Sequence, residues 1–255
     1  MDRNFDDLAV QFSQRIYSGT KGRIRLALLQ RDLEEVLGRE LTDRSLRVLD
    51  AGGGEGQFAR WLAAKGHQVT LCDLSSVMLA NARVAVEADG LADQFTFIQG
   101  SIQDLPTADP AYELVLCHAV LEWVQDWQGL LRKLKAQLTE GGHLSLMFYN
   151  RHSTVFRSLL RGYFDRINND KLQGSGQGLT PLYPLLPEDV LGFLVDEGWE
   201  VLCKSGVRVF HDYMHKEIQE RRSAEDIIAL EQRFSREEPY RSLGRYYHVV
   251  ARRIT

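Results

Sequence analysis

The sequence predicts an α/β protein built on a doubly wound, mostly parallel sheet of seven strands. Short apolar runs alternate with segments of helical period from about residue 46 onward, a glycine-rich turn follows the first run, and the first two runs both end in a carboxylate, Asp50 and Asp73. Alternation of strand and helix favours parallel pairing through right-handed crossovers, and ligands of such sheets lie beyond the carboxyl ends of the strands. The glycines and both carboxylates fall at those ends.

Before the first strand, the chain to about Gly38 is helical in pattern, with Ile24, Leu28 and Val36 at core-like spacing, so residues 1–40 are expected to form a helical cover beside the sheet. Strands are expected at 46–50, 68–73, 95–99, 113–117 and 143–149, with helices at 57–65, 75–89 and 126–138. From Asn150 to Pro187 the rhythm breaks. An Arg-rich apolar helix leads into Leu172-Gln-Gly-Ser-Gly-Gln-Gly-Leu179 and then Pro181, Pro184 and Pro187, which reads as a lid inserted over 150–187. The sheet resumes with a helix at 188–197, a strand at 199–211, a charged helix at 213–235 and a last strand at 246–252. A chain of 255 residues is long enough to form one such domain with its insertion.

Composition excludes several classes. A hydrophobic share of 44% and a charged share of 26% are those of a globular protein, and no apolar run approaches membrane-spanning length. The start, Met1-Asp-Arg-Asn-Phe-Asp-Asp7, is polar and acidic rather than a secretion signal, which makes the cytoplasm the expected compartment. Cys72, Cys117 and Cys203 sit in strand-like runs without a C-x-x-C pair or clustered histidines, so they read as buried reduced thiols and no metal site is expected. The net charge of −4 argues against indiscriminate nucleic-acid binding. Locally the balance differs, because Arg151, Arg157, Arg161, Arg166 and Lys171 face only Asp165 and Asp170 within 151–173. That stretch is either a phosphate-contacting patch or a solvated helix face.

The glycine turn narrows the ligand. In Asp50-Ala-Gly52-Gly53-Gly54-Glu-Gly56-Gln57, Gly52 and Gly54 match the first two glycines of a dinucleotide fingerprint, but Gln57 occupies the third place and disfavours NAD. Gly52 and Gly53 would let the backbone approach a ligand closely, and Asp73 ends a second strand where it could hold vicinal ribose hydroxyls. After the third strand, Ile102 and Gln103 could flank an adenine. After the fourth come His118 and Trp123. His118 could touch the cofactor, position substrate, act as a base or simply be structural, and Trp123 suits a core better than a ligand cage. An acidic strand end, a glycine loop and a second acidic strand end about twenty residues on together resemble the Rossmann-like methyltransferases that use S-adenosylmethionine (SAM).

A closer resemblance spans nearly the whole chain. Asp50-Ala-Gly-Gly-Gly-Glu-Gly56, Cys72-Asp-Leu-Ser75, His118-Ala-Val-Leu-Glu-Trp123, Leu144-Ser-Leu-Met-Phe-Tyr-Asn150 and Gly206-Val-Arg-Val-Phe-His-Asp-Tyr213 are similar to stretches of the bacterial tRNA 5-carboxymethoxyuridine methyltransferases. Arg3-Asn-Phe-Asp-Asp7 and Lys21-Gly22 also fit. The resemblance implies methyl transfer from SAM to the carboxylate of carboxymethoxyuridine at the tRNA wobble position. It also implies Arg25, Gly52, Gly53, Asp73, Ile102, Gln103 and His118 as cofactor positions. Pattern alone would have left Arg25 an exposed helical arginine.

No catalytic base is assigned. A carboxylate with a pKa of about 4 is already ionised at neutral pH, so the protein must supply geometry rather than deprotonation. An arginine fork suits a carboxylate and holds the neutral ester less strongly; Tyr149, Arg208 and Arg245 are the candidates for that clamp. Two other readings remain at this stage. One is a SAM enzyme acting on a small carboxylic acid or amine, the other a SAM-binding regulator without turnover.

Overall fold

The computed structural model describes residues 19–109, 111–174 and 180–254. The Arg3–Asp7 stretch and most of the glycine-rich loop before Thr180 lie outside the described residues. Seven strands form one sheet: β1 (Arg47–Ala51), β2 (Gln68–Asp73), β3 (Phe95–Gln99), β4 (Tyr112–His118), β5 (Leu138–Tyr149), β6 (Trp199–Val207) and β7 (Tyr246–Arg253). Their order is β3-β2-β1-β4-β5-β7-β6, with β7 antiparallel to both its neighbours and the other pairings parallel. The chain winds outward from β1 to β3 and returns on the other side of β1 to β4. The crevice between β1 and β4 is therefore the switch point at which sheets of this kind accept ligands.

The longer helices are α1 (Gly19–Leu37), α2 (Gln57–Ala63), α3 (Ser76–Ala88), α4 (Trp127–Gln137), α5 (Arg151–Leu160), α6 (Pro187–Asp196) and α7 (Ala224–Phe234). Side chains close several of their first turns. The Ser75 hydroxyl accepts from the Met78 N–H at 3.1 Å and the Asp126 carboxylate from the Gly129 N–H at 2.8 Å, while Pro187 opens α6 without losing a helical hydrogen bond. Alternation along β4 divides the core. Leu114 and Leu116 pack with Ile24, Leu28, Phe58 and Ile227 on one face, while Val115 and Cys117 pack with Leu130, Leu134 and Val190 on the other. All three cysteines are buried free thiols, and burial raises those of Cys72 and Cys203 to about 12 and about 11.

Three elements differ from expectation, each because of a contact distant in sequence. β5 starts at Leu138 rather than 143, since Leu138 pairs with Tyr112 and an irregularity between Tyr112 and Leu114 absorbs the shift. β6 ends at Val207 rather than 211, because Arg208 takes a positive φ of 61°. There the buried Glu231 carboxylate accepts the N–H groups of Val209, Phe210 and His211 at 2.7, 3.1 and 2.8 Å, which satisfies a backbone that has left the ladder. The expected helix over 213–235 is broken into Lys216–Arg221 and α7, where Ser223 caps the second piece by accepting the Asp226 N–H at 3.0 Å.

One buried carboxylate fastens α1 to this sheet. Asp32 is fully buried; its Oδ1 accepts from Arg31 Nη2 at 2.7 Å and Arg236 Nη2 at 2.6 Å, and its Oδ2 pairs with His248 Nδ1 at 2.8 Å. Arg31 also donates to the Gln232 carbonyl and the Ser235 hydroxyl, so helix, sheet and α7 meet at one point. Burial opposes ionisation of Asp32, but His248 and Arg31 outweigh it and hold the carboxyl well below its usual range. A depressed acid stabilises the fold above its unfolded pKa of about 4, and that stabilisation is lost as pH falls further. Asp32→Ala is expected to destabilise the protein by about 3 kcal/mol or more, as when one partner of a buried ion pair is removed. Urea unfolding at pH 7 measures this, and the gap between the two proteins should narrow in acid below pH 4.

Candidate active site at the carboxyl edge of the sheet

The glycine turn after β1 is packed too tightly for side chains. Gly52 has a φ of 74°, and a Cβ there would lie 2.6 Å from Val120 Cγ2; a Cβ on Gly53 would lie 2.4 Å from Asp50 Oδ2. The Gly52 and Gly53 N–H groups both donate to the Cys72 carbonyl, at 2.8 and 3.3 Å, which ties the turn to the end of β2. Asp73 completes the hold. Its two carboxylate oxygens accept from the Gly54 and Ser75 N–H groups, each at 2.8 Å. These bonds fix the Asp73 carboxylate beside the glycine turn. Gly56, at a φ of 68°, then starts α2 without a side-chain cap and leaves first-turn N–H groups facing this edge.

The wall across the crevice comes from the ends of β3 and β4. Ile102 is buried in the one-turn helix Ile102–Asp104, with its Cδ1 3.7 Å from where a Gly52 Cβ would stand, so its side chain itself shapes the turn's surroundings. Gln103 is exposed, with its N–H and its side-chain amide oxygen both engaged by the Ser101 hydroxyl. His118 closes β4, edge-on to Phe58 at 5.2 Å, with Nε2 2.8 Å from Ser145 Oγ. Burial, with His248 and Arg25 adding to it, lowers the His118 pKa well below the ordinary value and keeps the ring neutral. Trp123 is buried in the wall.

Sequence reasoning assigned no role to Glu122, yet it is among the most unusual groups here. Its carboxyl is buried, Oε2 has no hydrogen-bond partner among the described residues, and burial raises its pKa to about 7. Asp50 is raised to about 7 as well, first by burial and then by Asp73. No local pattern marks either shift, because both depend on how deeply the fold encloses the side chain. Arg25 is a further case: pattern alone made it an exposed helical residue, but it is 4% exposed, lies 4.8 Å over the Tyr246 ring, and its charge reaches both His118 and Glu122. α1 carries it to this edge because Asp32 anchors the helix seven residues on.

Tyr149, Arg208 and Arg245 are brought together beside Tyr246. The two tyrosine rings meet edge to face at 5.4 Å, Arg245 lies 4.5 Å over Tyr149, and Arg208 lies 5.3 Å over Tyr246. Both guanidinium groups approach one carboxylate, Asp212 Oδ2, at 3.4 and 3.7 Å, and Lys21 Nζ stands 3.9 Å from the other oxygen. Burial alone would raise Asp212, but Arg208 and its neighbours hold it down at about 2. Next to Tyr149 opens a cavity of about 190 Å³ whose lining includes Thr154, Arg157, Arg161, Tyr163, Arg166 and Arg245. Arg151 is not part of it and pairs with Asp170 instead. The stretch 151–185 is tied beside Tyr149 at both ends, since Leu185 N–H donates to the Tyr149 carbonyl and Arg151 N–H to the Leu185 carbonyl.

Among the described residues no group of three His, Cys, Asp or Glu side chains could hold a metal ion, and no described helix is long and apolar enough to cross a membrane. A family profile described as a methyltransferase domain matches residues 49–146, the part that carries the glycine turn, Asp73 and His118. The sheet order, the turn and this match define the class: a SAM-dependent methyltransferase. Magnesium protoporphyrin IX methyltransferase from Synechocystis, solved with bound SAH, shares the fold at a TM-score of 0.67 and 18% identity, covering 98% of this chain and 96% of that one. The tRNA 5-carboxymethoxyuridine methyltransferase of Escherichia coli (strain K12) is 47% identical over 253 residues, 99% of this chain and 97% of the relative. The chain belongs to the tRNA 5-carboxymethoxyuridine methyltransferase family. A malonyl-[acyl-carrier protein] O-methyltransferase from Enterobacter lignolyticus is 33% identical, but over only 46% of this chain.

The raised acids make a pH prediction. A carboxyl whose folded pKa lies above its unfolded value of about 4 favours the fold at low pH, and that contribution is lost as pH rises toward about 7. The thermal midpoint of the unliganded protein should therefore fall between pH 5 and 8. Asp50→Asn should flatten part of that slope; an unaltered slope in the variant would remove Asp50 from the account.

Proposed function

We propose that this protein transfers the methyl group of SAM to the carboxylate of 5-carboxymethoxyuridine at the wobble position of tRNA, forming the ester 5-methoxycarbonylmethoxyuridine. The chain-long identity to the Escherichia coli enzyme is the observation that carries this reading. The residues fit the cofactor. A turn on which a Cβ would collide leaves bare backbone for the methionine end, and the Asp73 carboxylate, held beside that turn at the end of β2, would accept from ribose hydroxyls. Gly52, Gly53, Ile102 and Gln103 would line the cofactor's sides, Arg25 would meet its carboxylate, and His118 would stand at its methionine end. When bound, SAM supplies an electrophilic methyl group on a sulfonium sulfur.

The protein's own work is positional. The acceptor carboxylate is ionised at neutral pH, so no residue need remove a proton from it. Arg208 and Arg245 are already turned toward a carboxylate, that of Asp212, and would share their charge with the substrate's. Tyr149, held between Arg245 and Tyr246, gives the acceptor a fixed wall. An arginine pair attracts an anion more strongly than a neutral ester, which favours release of product. Residues 150–187 would serve as the lid, with Arg157, Arg161 and Arg166 near anticodon phosphates and exposed Tyr163 and Phe164 available for stacking on bases. The cytoplasm, where tRNA is modified, is the matching compartment.

Nucleoside mass spectrometry tests the reaction: purified protein with SAM should convert carboxymethoxyuridine to a base-labile methyl ester in tRNA from cells lacking the gene. Efficient methylation of a free small acid with untouched tRNA would instead support a small-molecule enzyme. Replacing Arg157 and Arg161 together by Ala should weaken tRNA binding and flatten its salt dependence while SAM affinity is retained. By contrast, Asp73→Ala should cost SAM binding about 1–3 kcal/mol in calorimetry, since it removes charge-assisted hydrogen bonds.

A further inference from the structure

At the end of β6 a charged residue occupies a backbone conformation that suits glycine. Arg208 takes a φ of 61°, in the left-handed region that any residue with a Cβ enters at a cost. Two contacts hold it there. The carboxyl oxygens of Glu231 in α7, a residue 0% exposed, accept the N–H groups of the next three residues, Val209, Phe210 and His211, at 2.7, 3.1 and 2.8 Å. The Arg208 carbonyl accepts the Arg245 N–H at 3.2 Å. The first contact fixes the turn, and the second fixes the spacing of the two arginines.

The Arg208 guanidinium is enclosed yet under-used. It lies over Tyr246, its Nη2 stands 3.4 Å from Asp212 Oδ2, and its buried Nε–H has no hydrogen-bond partner among the described residues. The arginines that anchor α1 behave differently: Arg31 and Arg236 reach Asp32 at 2.7 and 2.6 Å, the length of charge-assisted hydrogen bonds. Asp212 therefore balances the charge of Arg208 without satisfying its donors. A glycine at 208 would remove both the backbone strain and the orphan donor. Two such costs at one residue mark a place where a ligand completes the site.

We propose that Glu231 is a positioning residue for methyl transfer: by pinning the 209–211 turn it holds Arg208 in its left-handed conformation, where the guanidinium meets the carboxylate of the acceptor. This rests on the reading that the acceptor is the carboxylate of carboxymethoxyuridine. A carboxylate brings what Asp212 withholds, two charged oxygens in the plane of a guanidinium fork. Arg245, tied to Arg208 through the backbone, stands beside it. The methyl ester has lost the charge, so a fork held in this way prefers acid over product. Glu231 acts only through Arg208, because its own oxygens are spent on the turn.

Binding of two tRNAs reads this role, one carrying carboxymethoxyuridine and one its methyl ester, each measured with SAH so that no turnover occurs. Wild-type protein should prefer the acid by about tenfold or more, the range for hydrogen bonds to a charged group. Glu231→Gln, which turns an amide donor toward the N–H groups of the turn, should bring the two affinities within about threefold while SAM affinity stays that of wild type. Equal losses for both tRNAs, or no loss, are what a purely structural Glu231 gives, and either result overturns the proposal. Arg208→Gly should also remove the preference, and adding Glu231→Gln to it should change nothing further; additive losses would show that the two residues act independently. Should Glu231→Gln fail to fold, Glu231→Asp, which shortens the reach to the turn, takes its place with the same expectation. Arg208→Lys keeps the charge and loses the fork, and an intact preference there sinks the idea whatever the Glu231 variants do. Wild-type turnover judges the acceptor reading separately. If carboxymethoxyuridine stays unmethylated while a free acid is methylated, that reading fails alone, and the same variants are compared on the acid and its ester; if tRNA is methylated but Glu231→Gln keeps the wild-type preference, this proposal fails alone.

Discussion

The ion pairs and hydrogen bonds of Asp32 are the constraint on which the rest of the site depends. α1 offers a row of leucines to the sheet, and such a row can slide or rotate at little cost because hydrophobic contact has no direction. Asp32 removes that freedom. A single carboxylate engages Arg31 of the same helix, Arg236 after α7 and His248 in β7, so the helix can dock in only one rotation and one register. Two turns earlier on the same helix, Arg25 is thereby delivered over Tyr246 at the carboxyl edge of the sheet. A group far from the ligand crevice thus sets the position of a residue inside it.

At that edge the fold separates carboxylates by environment. Asp50 and Glu122 are buried and pushed up to about 7, Glu122 despite the charge of Arg25, whereas Asp212, faced by Arg208, is pulled down to about 2. The three lie at different parts of one site and have different consequences. Asp50 lies beneath the glycine turn, where the charge of Asp73 adds to the effect of burial. An ionised Asp212 holds the Arg208 and Arg245 guanidinium groups together beside Tyr149 and Tyr246.

Residues 150–187 show how a long connection from β5 is held. α5 begins where β5 ends, with the Asn150 side chain both capping the helix and donating to the Ser242 and Gly244 carbonyls at 2.9 Å. Its return strand of chain bonds to Tyr149 at Leu185 and to the Glu122 carbonyl at Tyr183. The returning chain is therefore fastened at the carboxyl edge of the sheet, to the ends of β4 and β5. Between them stand the exposed Leu160, Tyr163 and Phe164, apolar groups that a partner rather than the protein's own core would cover.

Much of the fold was legible in the residues themselves. The alternation of runs, the glycine turn and the acidic ends of β1 and β2 are local patterns, and local patterns encode strand direction, face and turn because backbone sterics act over a few residues. They located the sheet, the crevice and Asp73, and a chain-long likeness supplied Arg25. What they left out depends on groups far apart in sequence. Glu231 ends β6 by accepting three N–H groups some twenty residues away, and Arg25 is buried because Asp32 finds partners about two hundred residues on. Tyr149, Arg208 and Arg245 were named as separate candidates, but only the antiparallel pairing of β7 with both β5 and β6 brings them together beside Tyr246. The raised Glu122 had no signature at all. Desolvation is a property of an enclosed volume, and a sequence has no enclosed volume until its tertiary structure forms.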